Sequence, residues 1–501
     1  MLKFLNSKKV ILNLLLLYAF AMQSQNWSQI GSAITGAADN DQSGTAVSLN
    51  ADGNTVAIGS PFNDDGGNAS GEVRVFENIA NTWQQKGNDI TGIAASDRFG
   101  FSVSISADGN VVAIGAPDNN DNSFESGHVR IFQFQTNTWV QIGSTIVGDA
   151  LSDHSGFSVS LSDDGTRVAI GAPDNGLVAN VGSNYGQVRV FENQSGNWVQ
   201  LGGDIIGDVP EDNLGYAVSL NEDGSIVAVG SREHNSAAGH VKVFQYQTNA
   251  WVQLGSDIEG TDSDDKFGGA ISLNNSGSIV AVGAEDHDGT GQVRVFENQS
   301  NTWVQLGSDI DGEAVEDKFG ISVSLNADGT KLAVGGERNG GFTTEAGHVR
   351  VYAYENSNWV QIGNDIDGEA VQDRFGTSVS LSADGSLVAA GAYLNDNNGS
   401  NSGYVRVLSN SNTLSTIDSY STAQLKIFPN PTKDHIHIKF QNKIKHASIA
   451  LYHVNGALLH FQNHTKSTNA TTVNISSLPK GMYLLKVQLD NAERMHKIIK
   501  Q

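Results

Sequence analysis

The sequence predicts an all-β repeat fold, and three observations carry that prediction. First, an apolar alternation around a tight turn, typified by "FGFSVSISADGNVVAIGAP" (99–117), recurs seven times, at 47–61, 99–117, 159–173, 218–232, 271–285, 323–337 and 379–393. Second, each copy is followed by a glycine and a short apolar–basic run, from "GEVRVF" (71–76) to "GYVRVL" (403–408). Third, W-x-Q-x-G occurs at Trp27, Trp83, Trp139, Trp198, Trp251, Trp303 and Trp359, which uses every tryptophan in the chain. The tryptophans are 56, 56, 59, 53, 52 and 56 residues apart. A fixed period in that range means a propeller or a solenoid.

The elements follow in chain order. Lys3, Lys8 and Lys9 precede the apolar run "VILNLLLLYAFA" (10–21), which ends in Ala19-Phe20-Ala21. A basic start, a short apolar stretch and a small-x-small site read as a signal peptide over residues 1–24, cleaved after Ala21 or Ser24. The run is shorter than the ~20 residues needed to span a bilayer, so no transmembrane segment is expected after cleavage. Within each repeat, "FSVSI" and "VVAIGA" form a hairpin around Asp-Gly, and "HVRIF" and "WVQIG" form a second one. Four antiparallel strands repeated seven times predict a seven-bladed β-propeller over residues 25–408. The chain enters on a Trp strand and leaves on a Val-Arg-Val strand, so the last blade lacks its fourth strand. The N-terminal strand 27–31 is expected to supply it by pairing with 403–408.

Composition narrows the chemistry. There is no cysteine, which excludes disulfides, thiolate metal sites and cysteine nucleophiles. The formal net charge is −24, although residues 424–501 carry eleven Lys/Arg against Asp434, Asp490 and Glu493. The propeller is therefore strongly acidic and repels nucleic acid and anionic membranes. No HExxH, GxSxG or P-loop lysine occurs. On these grounds the chain is expected not to be an enzyme, with no catalytic, cofactor-binding or metal residue assigned.

Phe-Gly at 99–100, 267–268, 319–320 and 375–376, with Gly-Ala-Pro at 115–117 and 171–173, resembles FG-GAP repeats. Those build the seven-bladed propellers of integrin α-like proteins. Many such repeats carry a calcium loop, D-x-[DN]-x-D-G-x-x-D, between the first two strands. Here only "DG" remains: Ser104 and Ser106 stand at the preceding ligand positions and Val111-Val112 where the later Asp would fall. A calcium ion wants six to eight oxygens, so cofactors are expected to be none, with the inherited calcium ligands largely missing.

Several recurrent residues could carry chemistry. An acid precedes each first strand in Asp-x-x-Gly: Asp41, Asp97, Asp153, Asp212, Asp265, Asp317 and Asp373. A base sits in each third strand: Arg74, Arg130, Arg189, Lys242, Arg294, Arg350 and Arg406. Residues present in every blade are expected to be architectural, and we expect these acids and bases to pair. The tryptophans are expected to pack rather than to stack sugars. His128, His240 and His348 also fall at one repeat position, and "EDHDG" (285–289) reads as a solvated acidic loop. Meander topology puts the Asp-x-x-Gly crossovers on one face with the irregular loops 62–70, 174–185, 287–290 and 339–346. A binding surface is expected there, with sparse aromatics such as Phe62, Phe124, Tyr185, Phe342 and Tyr393.

A Ser/Thr-rich linker (409–424) leads to short alternating strands in 425–501. Pro429-Asn430-Pro431, "LYHVNGALL" and "LPKGMYLLKV", with a lysine-rich end, are similar to the type A C-terminal sorting domain of the type IX secretion system of Bacteroidota. The resemblance implies passage through the periplasm, contact with that secretion machinery through 425–501, and release or cell-surface anchoring. The functional expectation is an exported binding or adhesion module for an unidentified extracellular polysaccharide or protein. The alternatives are a polysaccharide-active hydrolase of propeller fold and a purely structural surface-coat protein.

Overall fold

The structure, a computed structural model, describes residues 27–176, 183–340, 344–410, 425–428, 432–444, 447–453, 458–464, 468–489 and 492–500. The expected signal peptide (1–24) lies outside them. Contacts divide the chain into two units, 1–413 and 414–501.

The first unit consists of seven antiparallel sheets in chain order. In the second blade the strands are Ser102–Ile105, Val111–Ala116, His128–Gln135 and Thr138–Gln141, each paired to the next. A fifth strand of two residues, Ile146–Val147, pairs with the start of the third strand, alongside the outer one. Every blade repeats this plan, so the four predicted strands are present and a short fifth is added. Closure is as expected. Trp27–Gln29 pairs with Tyr404–Asn410, with Trp27 opposite Asn410, and Ile34 pairs with Val405.

The sequence motif has a steric cause. Gly100 has φ +90°, and a Cβ there would stand 2.6 Å from the Glu72 carbonyl oxygen. Gly115, in the second strand, would put a Cβ 2.0 Å from the carbonyl oxygen of Gly156 in the next blade. Phe-Gly and Gly-Ala-Pro are thus the two halves of one close approach between adjacent blades. Phe99 itself is fully buried and meets Phe132 edge-on at 6.3 Å between centroids.

The Asp-Gly hairpins are fixed by their own side chains. Ser106 Oγ accepts the Val111 N–H at 2.9 Å, and Asp108 accepts the Asn110 N–H at 2.9 Å and the Ser106 hydroxyl at 2.6 Å. Burial raises the Asp108 carboxyl, but the hydrogen bonds from Ser106 and Asn110 outweigh it and hold the group below its ordinary value. The same arrangement recurs at Asp164, Asp223, Asp328 and Asp384. These oxygens are engaged by the turn itself.

Three rings of hydrogen bonds join the blades, and each one closes. The tryptophan indoles donate to the preceding blade: Trp83 to Ile30 O, Trp139 to Lys86 O, and so on to Trp359 on Leu306 O. Trp27 then completes the circle on Ile362 O at 2.9 Å. Around the channel, Ile105 N–H donates to Ser48 Oγ, Leu161 to Ser104, Leu220 to Ser160, Leu273 to Ser219, Leu325 to Ser272, Leu381 to Ser324 and Leu49 to Ser380. At the hairpin end, backbone bonds run 51→107→163→222→275→327→383→51, the last from Ala383 N–H to Ala51 O at 2.8 Å.

The second unit is a sandwich of two sheets. Leu425–Phe428, His435–Ile444 and Thr468–Asn474 form one, and Leu458–His464, Ala447–His453, Gly481–Leu489 and Ala492–Lys500 form the other. Alternating residues of both, among them Ile436, Ile438, Ile449, Leu451, Val473 and Leu485, make its core. Lys500 is buried and donates to the carbonyls of Ile475 and Ser476 at 2.8 and 2.9 Å.

Candidate functional site

The repeat acids and bases do not pair as expected. Each Asp of Asp-x-x-Gly caps the crossover that precedes it: Asp41 accepts the N–H groups of Ala37 and Ala38 at 3.1 and 2.8 Å, and Asp212 those of Asp208 and Val209. Asp317 and Asp373 do the same. The reason is local: a carboxylate three to four residues downstream folds back on its own loop more readily than it reaches another strand. Five of the seven bases instead reach the short fifth strand before their blade, while Lys242 pairs with Asp208 and Arg350 with Asp365. Arg74 donates to Thr35 O at 2.9 Å, Arg189 to Val147 O at 2.7 Å and Arg406 to Asp367 O at 2.8 Å. Both sets are architectural, by contacts other than the predicted pairing. The tryptophans pack between blades as expected.

The crossovers and the loops between second and third strands do share a face: Ser96 and Arg98 N–H groups donate to Asn68 and Ala69 of such a loop. Of the aromatics expected there, Phe124 is exposed, Phe62 lies under the Arg98 guanidinium at 5.2 Å, and Tyr185 and Tyr393 are half-buried. Phe342 and part of the loop 174–185 lie outside the described residues.

The strongest departure from seven-fold symmetry lies at the channel mouth on this face. The residue after each Phe-Gly position lies at the entry to the inner strand, and the seven are Thr45, Phe101, Phe157, Tyr216, Gly269, Ile321 and Thr377. Phe101, Phe157 and Tyr216 form an arc across three successive blades, with ring centroids 5.0 and 4.8 Å apart. All three are half-buried, unlike the sealed Phe99 position. Arg232 stacks over Tyr216 at 4.0 Å and bonds Glu233 and Glu285 at 3.0 and 3.2 Å.

A belt of alternating charge surrounds the arc. Arg98 meets Asp118 at 2.9 Å, His154 meets Asp174 at 2.8 Å, Lys266 meets Asp286 at 2.8 Å, Lys318 also pairs with Asp286, and Arg374 meets Glu345 at 2.8 Å. The hydrogen bond from His154 to Asp174 holds its imidazole above the ordinary value. Burial pushes the Glu337 carboxyl up against the opposing pull of Arg374, with Glu285 adding like charge. Asp286 of "EDHDG" is neutralised by two lysines, and His287 lies 2.9 Å from Asp265 rather than in solvent. Sequence reasoning missed the aromatic arc. Its signal is one repeat position that varies between an invariant glycine and a small Ala or Ser, visible once the seven copies are aligned.

Among the described residues, candidate metal groups are Asp212–His234–His240, His240–Asp257–Glu259, Asp262–Asp265–His287, His348–Asp365–Asp367 and Asp65–Glu72–Asp89. Arg350 occupies Asp365 at 3.1 and 3.0 Å, and Arg74 lies 3.0 Å from Glu72, so two of these groups already hold a cation.

Comparison with known proteins places this architecture. Residues 91–132 and 366–407 match the FG-GAP repeat, so two stretches of the propeller carry that repeat. Residues 426–501 match the secretion system C-terminal sorting domain, so the chain is delivered by that route to the medium or the outer cell surface. No curated protein sequence matches the chain. Solved structures similar in fold include a periplasmic gluconolactonase of Pseudomonas aeruginosa, at 14% identity and TM-score 0.45, covering 65% of this chain and 87% of that one. A putative 6-phosphogluconolactonase of Bacteroides fragilis gives 14% and 0.46, covering 65% and 85%. One of Bacteroides uniformis gives 12% and 0.43, covering 80% and 95%. The expectation that the chain is not an enzyme is corrected by these likenesses: lactonases stand among the similar structures, and the absence of a short motif does not exclude catalysis. Among the described residues no helix is long and apolar enough to cross a membrane.

Proposed function

We propose that the propeller is an extracellular binding module that seats a polysaccharide at the crossover-face mouth of its channel. The observation that supports this reading is the arc Phe101–Phe157–Tyr216, half-open in a molecule whose other repeated aromatics are sealed or clasped. Sugar rings present flat apolar faces that stack on such side chains, while the surrounding charges take hydroxyl hydrogen bonds. The acidic propeller disfavours polyanions, so the occupant is a neutral or cationic glycan.

The test is binding of the full secreted chain to a panel of neutral and charged polysaccharides. Saturable binding to one class, weakened about thirtyfold in Phe157→Ala and Tyr216→Ala, is expected, since truncating a central aromatic anchor costs on the order of 2 kcal/mol. Binding to none of the panel, or binding indifferent to both variants, rejects the reading. A second reading, hydrolysis at the same mouth, is favoured by Glu285 and Glu337, of which Glu337 is biased toward its protonated form. Release of soluble sugar by the native chain and its loss in Glu337→Gln would select it over simple binding.

A further inference from the structure

We propose that the fourth blade carries a binding site for a divalent transition metal, zinc above all, built from Asp212, His234 and His240. One ligand atom from each of these residues lies within 4.8 Å of the other two. Alignment of the repeats makes the set stand out. The residue four places after the second-strand glycine (Gly59, Gly115, Gly171, Gly230, Gly283, Gly335 and Gly391) is Asn63, Asn119, Asn175, His234, His287, Asn339 and Asn395 in the seven blades. The residue opening each third strand is Glu72, His128, Gln187, His240, Gln292, His348 and Tyr404. Only the fourth blade has imidazoles at both positions.

At the first position the ordinary task is to hold the capping Asp, as Asn63 does on Asp41 at 3.4 Å and Asn395 on Asp373 at 2.8 Å. His234 performs that task too, with Nδ1 2.6 Å from Asp212 Oδ1. The second position has no such explanation. His240 is 0% exposed, its ring is 4.0 Å from that of His234 between centroids, and neither of its nitrogens meets a hydrogen-bond partner among the described residues. A buried orphan imidazole is costly, and metal ligation relieves it. Carboxylate oxygens of Asp257 and Glu259 also stand within 4.8 Å of a His240 ring nitrogen, with Asp257 held by Lys242 at 3.7 Å.

Two nitrogens and one carboxylate oxygen suit zinc with water as fourth ligand. A tetrahedral centre with bonds of about 2 Å sets its ligand atoms roughly 3.3 Å apart, within the span available. The other histidine groups differ: His287 has only Gln292 beside it at the second position, and Asp365 next to His348 is taken by Arg350.

The experiment titrates metal-free full-length secreted protein with zinc by calorimetry, and with cobalt while reading its visible absorption. His240→Gln and His234→Asn install residues that other blades carry at the same positions, so both variants fold; an unchanged circular dichroism spectrum checks this. One equivalent of zinc, a tetrahedral cobalt spectrum, and affinity about tenfold or more weaker in each variant are expected. His287→Asn is expected to leave binding unchanged. Absence of saturable binding, or equal affinity in native chain and His240→Gln, overturns the proposal.

Discussion

Glu72 opens the third strand of the first blade at 1% exposure, 3.0 Å from Arg74. Burial, against the Arg74 charge, raises its pKa from 4.5 to about 7. Below pH 4.5 both folded and unfolded chains hold the proton. Above it the unfolded chain ionises freely, while the folded one keeps its proton until about pH 7. Stability is therefore complete below pH 4.5 and is lost as pH rises to about 7, by up to about 3 kcal/mol at roughly 1.4 kcal/mol per unit. Glu72→Gln, which installs the residue of Gln187 and Gln292, is expected to raise Tm at pH 7.5 and leave it nearly unchanged at pH 4.5. Equal shifts at both values would show that burial of this carboxyl is not what couples stability to pH. The sequence marks Glu72 as one member of a variable repeat position but gives no hint that it is sealed, because burial at the strand start depends on the crossover of the next blade.

At the scale of the strand, the critical piece is Trp27–Gln29, three residues that pair with the last blade. Trp27→Ala removes ring packing and the bond to Ile362 O, at a cost of about 3 kcal/mol. Trp198→Ala removes an equivalent clasp, onto Ile142 O, inside the continuous chain. Limited proteolysis is expected to release the N-terminal segment first in Trp27→Ala and at no such point in Trp198→Ala. Identical digestion of the two would contradict a closure that depends on this strand. The strand was legible because Trp27 begins the series of tryptophans without a hairpin before it. The two-residue strands such as Ile146–Val147 were not, since two residues display no alternation. The repeat acids were legible as architectural, yet their partners were not: repetition identifies a constant position without saying which neighbour it touches.

For the molecule as a whole, the two units and the sorting tail lead to a separability prediction. We propose that the propeller spans 25–408 and folds without the tail, since its three hydrogen-bond rings close within residues 27–410. Deleting 425–501 is expected to leave the propeller's Tm within about 2 °C while the protein accumulates in the periplasm. A fall in Tm comparable to that of Trp27→Ala would instead make the tail part of the fold. Seven repeats were countable from the sequence because the fold is nearly periodic, whereas the aromatic arc was hidden because it consists of departures from that period: Phe101, Phe157 and Tyr216 each look like an ordinary strand residue alone.

The seam between Trp27 and Asn410 also acts as a proof of completeness. Every other blade is finished by residues adjacent in the chain, but this one needs the first strand and the last repeat to coexist in one molecule. A product cut short at its end leaves an unpaired strand edge and a tryptophan with nowhere to donate. An exported ring of this kind therefore declares its own truncation as an adhesive, protease-sensitive edge, and only full-length copies become inert enough to persist outside the cell.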